Sequence, residues 1–129
     1  KLKHRHFIIR IRFSASGGLT VCCDDPVGYL EEAELKDVFV VILTHDHGLD
    51  EELLTKVMGR DARYIGCIGS TRKGLMFQQR LRARGIDDTE VARLRTPMGI
   101  DLGAETPEEI AVSVVAEMIK IRRLGENDA

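Results

Sequence analysis

Two strongly apolar segments in the chain predict buried strands. VFVVILT, residues 38–44, is apolar on both alternating faces, as expected for a central parallel strand that helices cover above and below. RYIGCIG, residues 63–69, has the same character. Between them, Asp50 is the predicted N-cap of a helix and Gly59 its predicted stop, which completes a right-handed parallel crossover. The predicted inward residues of this helix are Leu53, Leu54, Val57 and Met58.

The segments before the first of these strands predict a hairpin and a short helix. FIIRIRF and LTVCC lie on either side of the small-residue stretch SASGG, which is typical of two strands joined by a turn. Asp25 followed by Pro26 is a suitable N-cap and first helical position. We expect that helix to end near Leu35.

The C-terminal half predicts three further helices and an α/β fold with a mainly parallel sheet. The first helix covers about residues 72–84, before Gly85, and a shorter one covers about residues 89–94. The last helix begins after the N-cap Thr106, with Pro107 at its first position and a capping box to Glu109. Its predicted inward stripe contains Ile110, Val114, Met118 and Ile121, widened by Ala111 and Val115.

The composition favours one folded unit. A chain of 129 residues with 43% hydrophobic residues can bury most of its apolar surface in one core, so we expect residues 1–129 to form a single domain. Three cysteines, an odd number, favour a reducing, cytoplasmic location. No run approaches the roughly 18 apolar residues of a membrane helix, and the start KLKHRHF lacks the apolar stretch of a secretory signal. The chain opens on Lys rather than Met, as a processed product or a fragment would.

The charge distribution adds a candidate ligand class. The net charge of −2 hides a basic block over residues 62–95, with eight basic and three acidic residues. A basic surface next to a loop suits an anionic ligand. The alternative is that these charges are solvated helix faces.

Polar segments follow both predicted central strands, at the edge where open parallel sheets bind ligands. GSTRKG, residues 69–74, suits an anion, because Gly69 permits close approach of the backbone and the following helix presents free N–H groups. Ser70 and Thr71 offer hydroxyls, and Arg72 and Lys73 add positive charge. The alternative is an ordinary strand-to-helix turn with exposed basic residues.

The stretch Thr44, His45, Asp46 and His47 follows the first strand and leaves three functions open. It could supply a base, metal ligands or hydrogen bonds to a polar ligand. A metal site would need a further ligand, for which Asp101 or Glu105 in the loop GIDLGAET is available. That loop could also curl over the same edge and offer the Asp101 carboxylate. Cys67, inside the second strand, is expected to be a small buried thiol.

Four motif-bearing segments follow one another along the chain, in the order VVILTHDHGLDEELL, YIGCIGSTRK, RLRARGIDD and VARLRTPMGIDLGAETPEEIAVSVVAEMI. Together they resemble the C-terminal domain of the XdhC/CoxI family, over about residues 38–123. The resemblance implies a Rossmann-like three-layer sandwich. It also implies a maturation factor, rather than an enzyme, that binds the molybdenum cofactor (molybdopterin) as cargo. Such a protein protects the cofactor during sulfuration and delivers it to a xanthine dehydrogenase or CO dehydrogenase type molybdenum hydroxylase.

The family signatures fall on three groups of positions in this sequence. The resemblance implies cofactor-binding roles for Thr44, His45, Asp46, His47, Gly69, Ser70, Arg72, Lys73, Gly99, Asp101, Gly103 and Thr106. Two departures are clear, because neither the upstream cysteine motif nor the glycine-rich turn that opens the family's Rossmann fold is present. We therefore expect the N-terminal part to be shortened or altered.

Two other functions and several partners complete the expectations. The first alternative is an NAD(P)- or nucleotide-binding Rossmann enzyme, against which the missing GxGxxG counts. The second is a metal-dependent hydrolase built on His45, His47 and Asp101. The expected partners are the hydroxylase apo-enzyme, a cysteine desulfurase and a second copy of the chain that covers an exposed sheet edge. Neither nucleic acid nor a membrane is expected as a partner.

Overall fold

The computed structural model of the protein describes residues 7–12, 18–22, 24–44 and 46–125. Most of the SASGG turn, Cys23 and His45 therefore lie outside the described residues. Within those ranges the chain forms a five-stranded sheet and five helices. The elements in chain order are β1 (Phe7–Ile11), β2 (Leu19–Cys22), α1 (Pro26–Glu32), β3 (Phe39–Leu43), α2 (His47–Val57), β4 (Tyr64–Cys67), α3 (Thr71–Ala83), α4 (Asp88–Val91), β5 (Leu94–Arg95) and α5 (Pro107–Leu124).

The sheet has the strand order β2-β1-β3-β4-β5. β3, β4 and β5 run parallel, and the predicted crossover from β3 through α2 to β4 is present. β1 pairs antiparallel with both β2 and β3. The α/β Rossmann-like class is confirmed, but the sheet is mixed rather than mainly parallel, because β1 pairs antiparallel with β3 as well as with its hairpin partner β2.

Helices cover both faces of the sheet, which confirms the three-layer arrangement. On one face, Val40 and Ile42 of β3 pack with buried residues of α2 and α3, among them Leu54 and Phe77. On the other face, Phe39, Val41 and Tyr64 pack with Met118 and Ile121 of α5. Burying an aliphatic or aromatic side chain of this size contributes roughly 1.5–3 kcal/mol. The alternation along β3 thus divides its side chains between two cores.

The helix N-termini agree with the sequence except in α2. Asp25 caps α1 as predicted, and α1 ends at Glu32, before the expected Leu35. Ser70, whose hydroxyl was predicted for a ligand, caps α3 by accepting from the Lys73 N–H. α2 begins at His47, and its N-cap is Asp46, whose carboxylate accepts from the Leu49 N–H at 3.1 Å. The prediction of Asp50 as the N-cap is wrong, because Asp50 lies in the first turn with its side chain buried. The predicted inward residues of α2 are confirmed as buried.

The C-terminal region differs from the prediction in two elements. The expected helix over residues 89–94 is shorter, and the chain enters the two-residue strand β5. The capping box of α5 is confirmed. Its inward stripe is wrong at Ile110, Ala111 and Val115, which are exposed, because the helix turns Ser113 and Glu117 inward to meet the loop after β5. In the part of the chain that is described, no helix is long and apolar enough to span a membrane.

Candidate ligand site at the carboxyl edge of the sheet

The loops after β4 and β5 enclose a groove of about 510 Å³ at the carboxyl edge of the sheet. Gly69 and Thr71 line one side, and Gly99, Asp101 and Gly103 line the other. Apart from Ser113, the rest of the lining is apolar and consists of Ile68, Pro97, Met98, Ile100, Leu102, Ala104 and Ile110. Four predicted site residues, Gly69, Gly99, Asp101 and Gly103, are thus brought together although about thirty positions separate the two loops.

The loop after β5 is held against α5 by a buried carboxylate. Glu117 Oε1 accepts from the Gly99 N–H at 2.9 Å and from the Tyr64 hydroxyl at 2.7 Å. The Ile100 N–H also donates to the Ser113 carbonyl at 3.2 Å. Burial, with the Glu117 charge beside it, raises the pKa of the Tyr64 phenol, so that the phenol stays a donor.

Gly99 is required by the close approach of this loop to α5. Its φ of +100° lies in the left-handed region, and a Cβ there would be 2.3 Å from Ser113 Oγ. A side chain at position 99 would therefore be strained and would also push the loop off the helix. The glycine in this motif has a structural reason that is independent of any ligand.

Lys73, on the opposite side of the groove, is directed into the protein. Its aliphatic stem crosses Gly69, where a Cβ would be 2.5 Å from Lys73 Cδ. Its ammonium donates to the Ile68 carbonyl at 2.9 Å and pairs with Asp50 Oδ2 at 3.0 Å. The Lys73 side chain is 13% exposed and that of Asp50 is 0% exposed. The positive charge of Lys73, which was predicted to bind an anionic ligand, is thus largely neutralised by Asp50.

Asp50 joins the two predicted polar segments. Its other carboxylate oxygen accepts from the Thr44 hydroxyl, and Thr44 Oγ1 in turn accepts from the Asp46 N–H at 3.1 Å. Thr44 is itself buried. The prediction of Asp50 as an N-cap missed its role as the ion-pair partner of Lys73. The sequence nevertheless contains a signal for that role. Asp50 lies three, four and seven residues before the inward Leu53, Leu54 and Val57, so an acid occupies the apolar stripe of α2.

Glu117 carries a similar signal in α5. It lies three residues after Val114 and four before Ile121, and therefore falls within the predicted inward stripe. An acidic residue in such a stripe indicates a buried carboxylate that needs donors nearby. The identity of those donors, Tyr64 and Gly99, does not follow from the helix pattern.

Cys67 lies in β4 close to Asp50 and is fully buried. Burial, reinforced by the negative charge of Asp50, raises the pKa of its thiol to about 12. The thiolate is therefore not populated at neutral pH. The expectation of a small buried thiol is confirmed.

The remaining predicted site residues sit at helix starts. Asp46 and Thr106 are N-caps, and His47 begins α2 with its ring edge-on to Phe77, 6.3 Å between centroids. Arg72 is exposed in the first turn of α3. Among the described residues, which do not include His45, no three His, Cys, Asp or Glu side chains cluster closely enough to hold a metal ion. The described geometry thus offers an anion-compatible helix start beside a groove with both apolar and polar lining.

Comparison with known proteins identifies the family to which this fold and groove belong. A family model described as the XdhC Rossmann domain matches residues 8–118. The chain therefore belongs to the XdhC Rossmann-domain family, and the resemblance drawn from its motifs is confirmed.

Individual relatives agree with this assignment. The chain is 40% identical over 86 residues to the uncharacterized protein YqeB of Escherichia coli K12, covering 67% of this chain and 16% of YqeB. It is 34% identical over 95 residues to the molybdenum cofactor insertion chaperone PaoD of the same organism, covering 72% of this chain and 29% of PaoD. A crystal structure described as a xanthine dehydrogenase from Bacillus halodurans has a TM-score of 0.66 and 33% identity, over 81% of this chain and 30% of that one. The chain thus spans less than a third of each of these proteins.

Proposed function

We propose that this chain is the cofactor-handling Rossmann domain, formed by residues 1–129, of a maturation factor for a molybdenum hydroxylase. The observation that carries the proposal is the 34% identity to a molybdenum cofactor insertion chaperone within a matching family. The cargo is the molybdenum cofactor, and the recipient is an apo-enzyme of the xanthine dehydrogenase or CO dehydrogenase type. The same proposal includes assistance in sulfuration, contact with a cysteine desulfurase, a cytoplasmic location and a homodimer.

The groove supports binding of a flat heterocycle that carries a phosphate. Its apolar lining, which includes Met98 and Ile100, suits the faces of a pterin ring. Asp101, exposed at the edge of the groove, supplies a carboxylate that can accept from ring N–H groups. Gly69 and Gly99 line the two walls of the groove with backbone rather than side chains. The residues present therefore fit such a cargo.

The start of α3 supports binding of the phosphate. Exposed N–H groups at a helix N-terminus favour an anion, and Arg72 adds a guanidinium that can form charge-assisted hydrogen bonds. Because Lys73 is paired with Asp50, we assign the larger share of phosphate affinity to Arg72. Thr44 contributes by holding Asp50, whereas His45, Asp46 and His47 remain proposed contacts for the part of the cargo beyond the groove.

The test is a binding titration with molybdenum cofactor released anaerobically from a purified molybdenum hydroxylase. We expect Arg72→Ala and Asp101→Ala each to weaken binding by about tenfold, as loss of a charge-assisted hydrogen bond implies. Arg82→Ala is the matched control, because Arg82 is on the same helix but pairs with Asp88. Wild-type protein that does not bind, or an affinity unchanged in both site variants, contradicts the proposal.

Thermal denaturation of the same protein separates the alternatives. A ligand at about 100 times its Kd that binds only the folded state adds about 2.7 kcal/mol of stability. We expect the molybdenum cofactor, and not NADP or ATP, to raise the Tm. The opposite result would favour a nucleotide-dependent Rossmann enzyme.

A further inference from the structure

The outer face of α5 presents an apolar stripe to solvent. Val112, Val115 and Ile119 are 61%, 49% and 48% exposed, and their spacing of three and four residues places them on one side of the helix. This side is opposite to the one that buries Met118 and Ile121 against the sheet. Contiguous exposed apolar residues of this kind mark an interaction surface.

The charges at the two ends of this stripe indicate its partner. Glu108 precedes Val112 by one turn, and Arg123 follows Ile119 by one turn. The order along the stripe is therefore acidic, apolar, basic. Glu108 and Arg123 lie at equal distances from the midpoint between Val115 and Ala116, and so do Val112 and Ile119. A stripe with this symmetry is complementary to itself when one copy is reversed.

The homodimer is part of the proposed function, and on that basis we propose its interface: two copies of the chain associate through the outer faces of α5, packed antiparallel about a two-fold axis near Val115. In this arrangement Glu108 faces the partner's Arg123, Val112 faces the partner's Ile119, and the axis passes beside Val115. Parallel packing would instead place like charges opposite each other, which is unfavourable. A closed two-fold contact of this kind is isologous, with the same surface used twice.

A depression beside the stripe supports this register. It has a volume of about 350 Å³ and is lined mainly by apolar surface of Leu102, Ala104 and Val112, with Glu108 at its edge. In the proposed register the partner's Ile119 lies against this depression, so that an apolar side chain packs on an apolar surface. Leu102, 56% exposed, extends the same surface beyond the helix.

The contact also has a consequence for the groove proposed as the ligand site. Leu102 and residues 103–104 line both the depression and the groove, so the loop after β5 lies between the partner and the groove. A single helix pair buries less than a standard interface of about 1,600 Å². We therefore expect a weak, concentration-dependent dimer rather than an obligate one.

The experiment is sedimentation equilibrium of the full chain from about 1 µM to about 1 mM, the range that covers weak interfaces. We expect a monomer–dimer equilibrium that Val115→Glu abolishes. Leu75→Glu is the control, because Leu75 is 59% exposed on α3, away from the stripe. Circular dichroism melts establish that each variant is folded, which is expected for exposed positions.

Charge exchange tests the register itself. Glu108→Arg and Arg123→Glu should each raise the dimer dissociation constant about tenfold, and the double variant should restore it. A monomer at all concentrations overturns the proposal, as does a dimer that is insensitive to Val115→Glu or is not rescued by the exchange. An insensitive dimer would indicate contact elsewhere, for example at a sheet edge. None of these outcomes depends on whether the chain binds the molybdenum cofactor.

Discussion

Two buried carboxylates on opposite sides of the sheet each hold a loop at its carboxyl edge, and they do so by different means. Asp50 of α2 pairs with the Lys73 ammonium and fixes the turn after β4. Glu117 of α5 accepts from two neutral donors, the Tyr64 hydroxyl and the Gly99 N–H, and fixes the loop after β5. The first is an ion pair between the first turns of two helices, and the second is a carboxylate hydrogen-bonded to neutral donors.

This difference determines how much stability is lost when the carboxylate that holds each loop, or its partner, is mutated. Removing one member of a buried ion pair leaves an uncompensated charge, which is strongly destabilising. Weakening a carboxylate that binds neutral donors loses only part of its hydrogen-bond energy. We therefore expect larger effects on the β4 side of the groove than on the β5 side.

The largest effect is expected at the ion pair. Lys73→Met should lower the free energy of unfolding by about 3–5 kcal/mol, because the fully buried Asp50 then has no counter-charge. Asp50→Asn should cost less, since the partly exposed Lys73 can carry its ammonium to water on its flexible stem. Urea denaturation measures both, and the double variant should cost less than the two single variants together. Equal, additive losses would show that the two groups are not coupled.

The next effect concerns the close contact of the β5 loop with α5. Gly99→Ala should destabilise by about 2–4 kcal/mol, from left-handed backbone strain together with the clash against Ser113. Gly103→Ala is the matched control, because Gly103 has a φ of +70° but open space around its Cβ position. It should cost only the strain, about 1–2 kcal/mol. Thermal or urea melts that give equal losses would contradict the close-approach argument.

A smaller effect is expected at the neutral anchor. Glu117→Gln should cost about 1–2 kcal/mol, because the amide oxygen can still accept while the charge-assisted part of both hydrogen bonds is lost. Amide hydrogen exchange should show faster exchange of the Gly99 N–H than in the wild type. Tyr64→Phe removes one donor and leaves the Gly99 bond in place, so Gly99 exchange should change less. The reverse order would indicate that Tyr64, rather than Glu117, holds the loop.

The smallest effect is expected away from the edge, where Glu51 of α2 pairs with Arg84 at 2.8 Å and Arg80 at 3.2 Å. The hydrogen bond from Arg84, followed by that from Arg80, holds the pKa of Glu51 below its ordinary value of 4.5. This stabilisation is complete above that value and is lost as pH falls through the lower folded-state pKa. Because both arginines are largely exposed, its size should stay below about 1 kcal/mol. Urea melts of wild type and Glu51→Gln should therefore differ at pH 7 and converge as pH falls through the lowered pKa of Glu51. A difference that stays constant with pH would rule out this pair as the cause.

Most local elements and the residue types available at the edge of the sheet follow from neighbouring residues in the sequence. The two apolar runs define β3 and β4, and the capping box at Thr106 defines the start of α5, because strand burial and helix capping depend on neighbouring residues. The residue types of the groove walls, glycines with Thr71 and Asp101, were likewise visible in the loops. The family followed from the order of these motifs.

Which groups are paired and which remain available depends on contacts between elements that are distant in the sequence. Strand β5 is two residues long and is defined by its pairing with β4. A local sequence pattern therefore does not predict it. Asp50 and Lys73 are far apart in sequence, and their pairing depends on how α2 and α3 pack after neighbouring strands. The inward side of α5 was likewise set by the loop at Gly99, which leaves Val112, Val115 and Ile119 exposed. Pairing and burial are properties of non-local contacts, and residue spacing along one element cannot specify them.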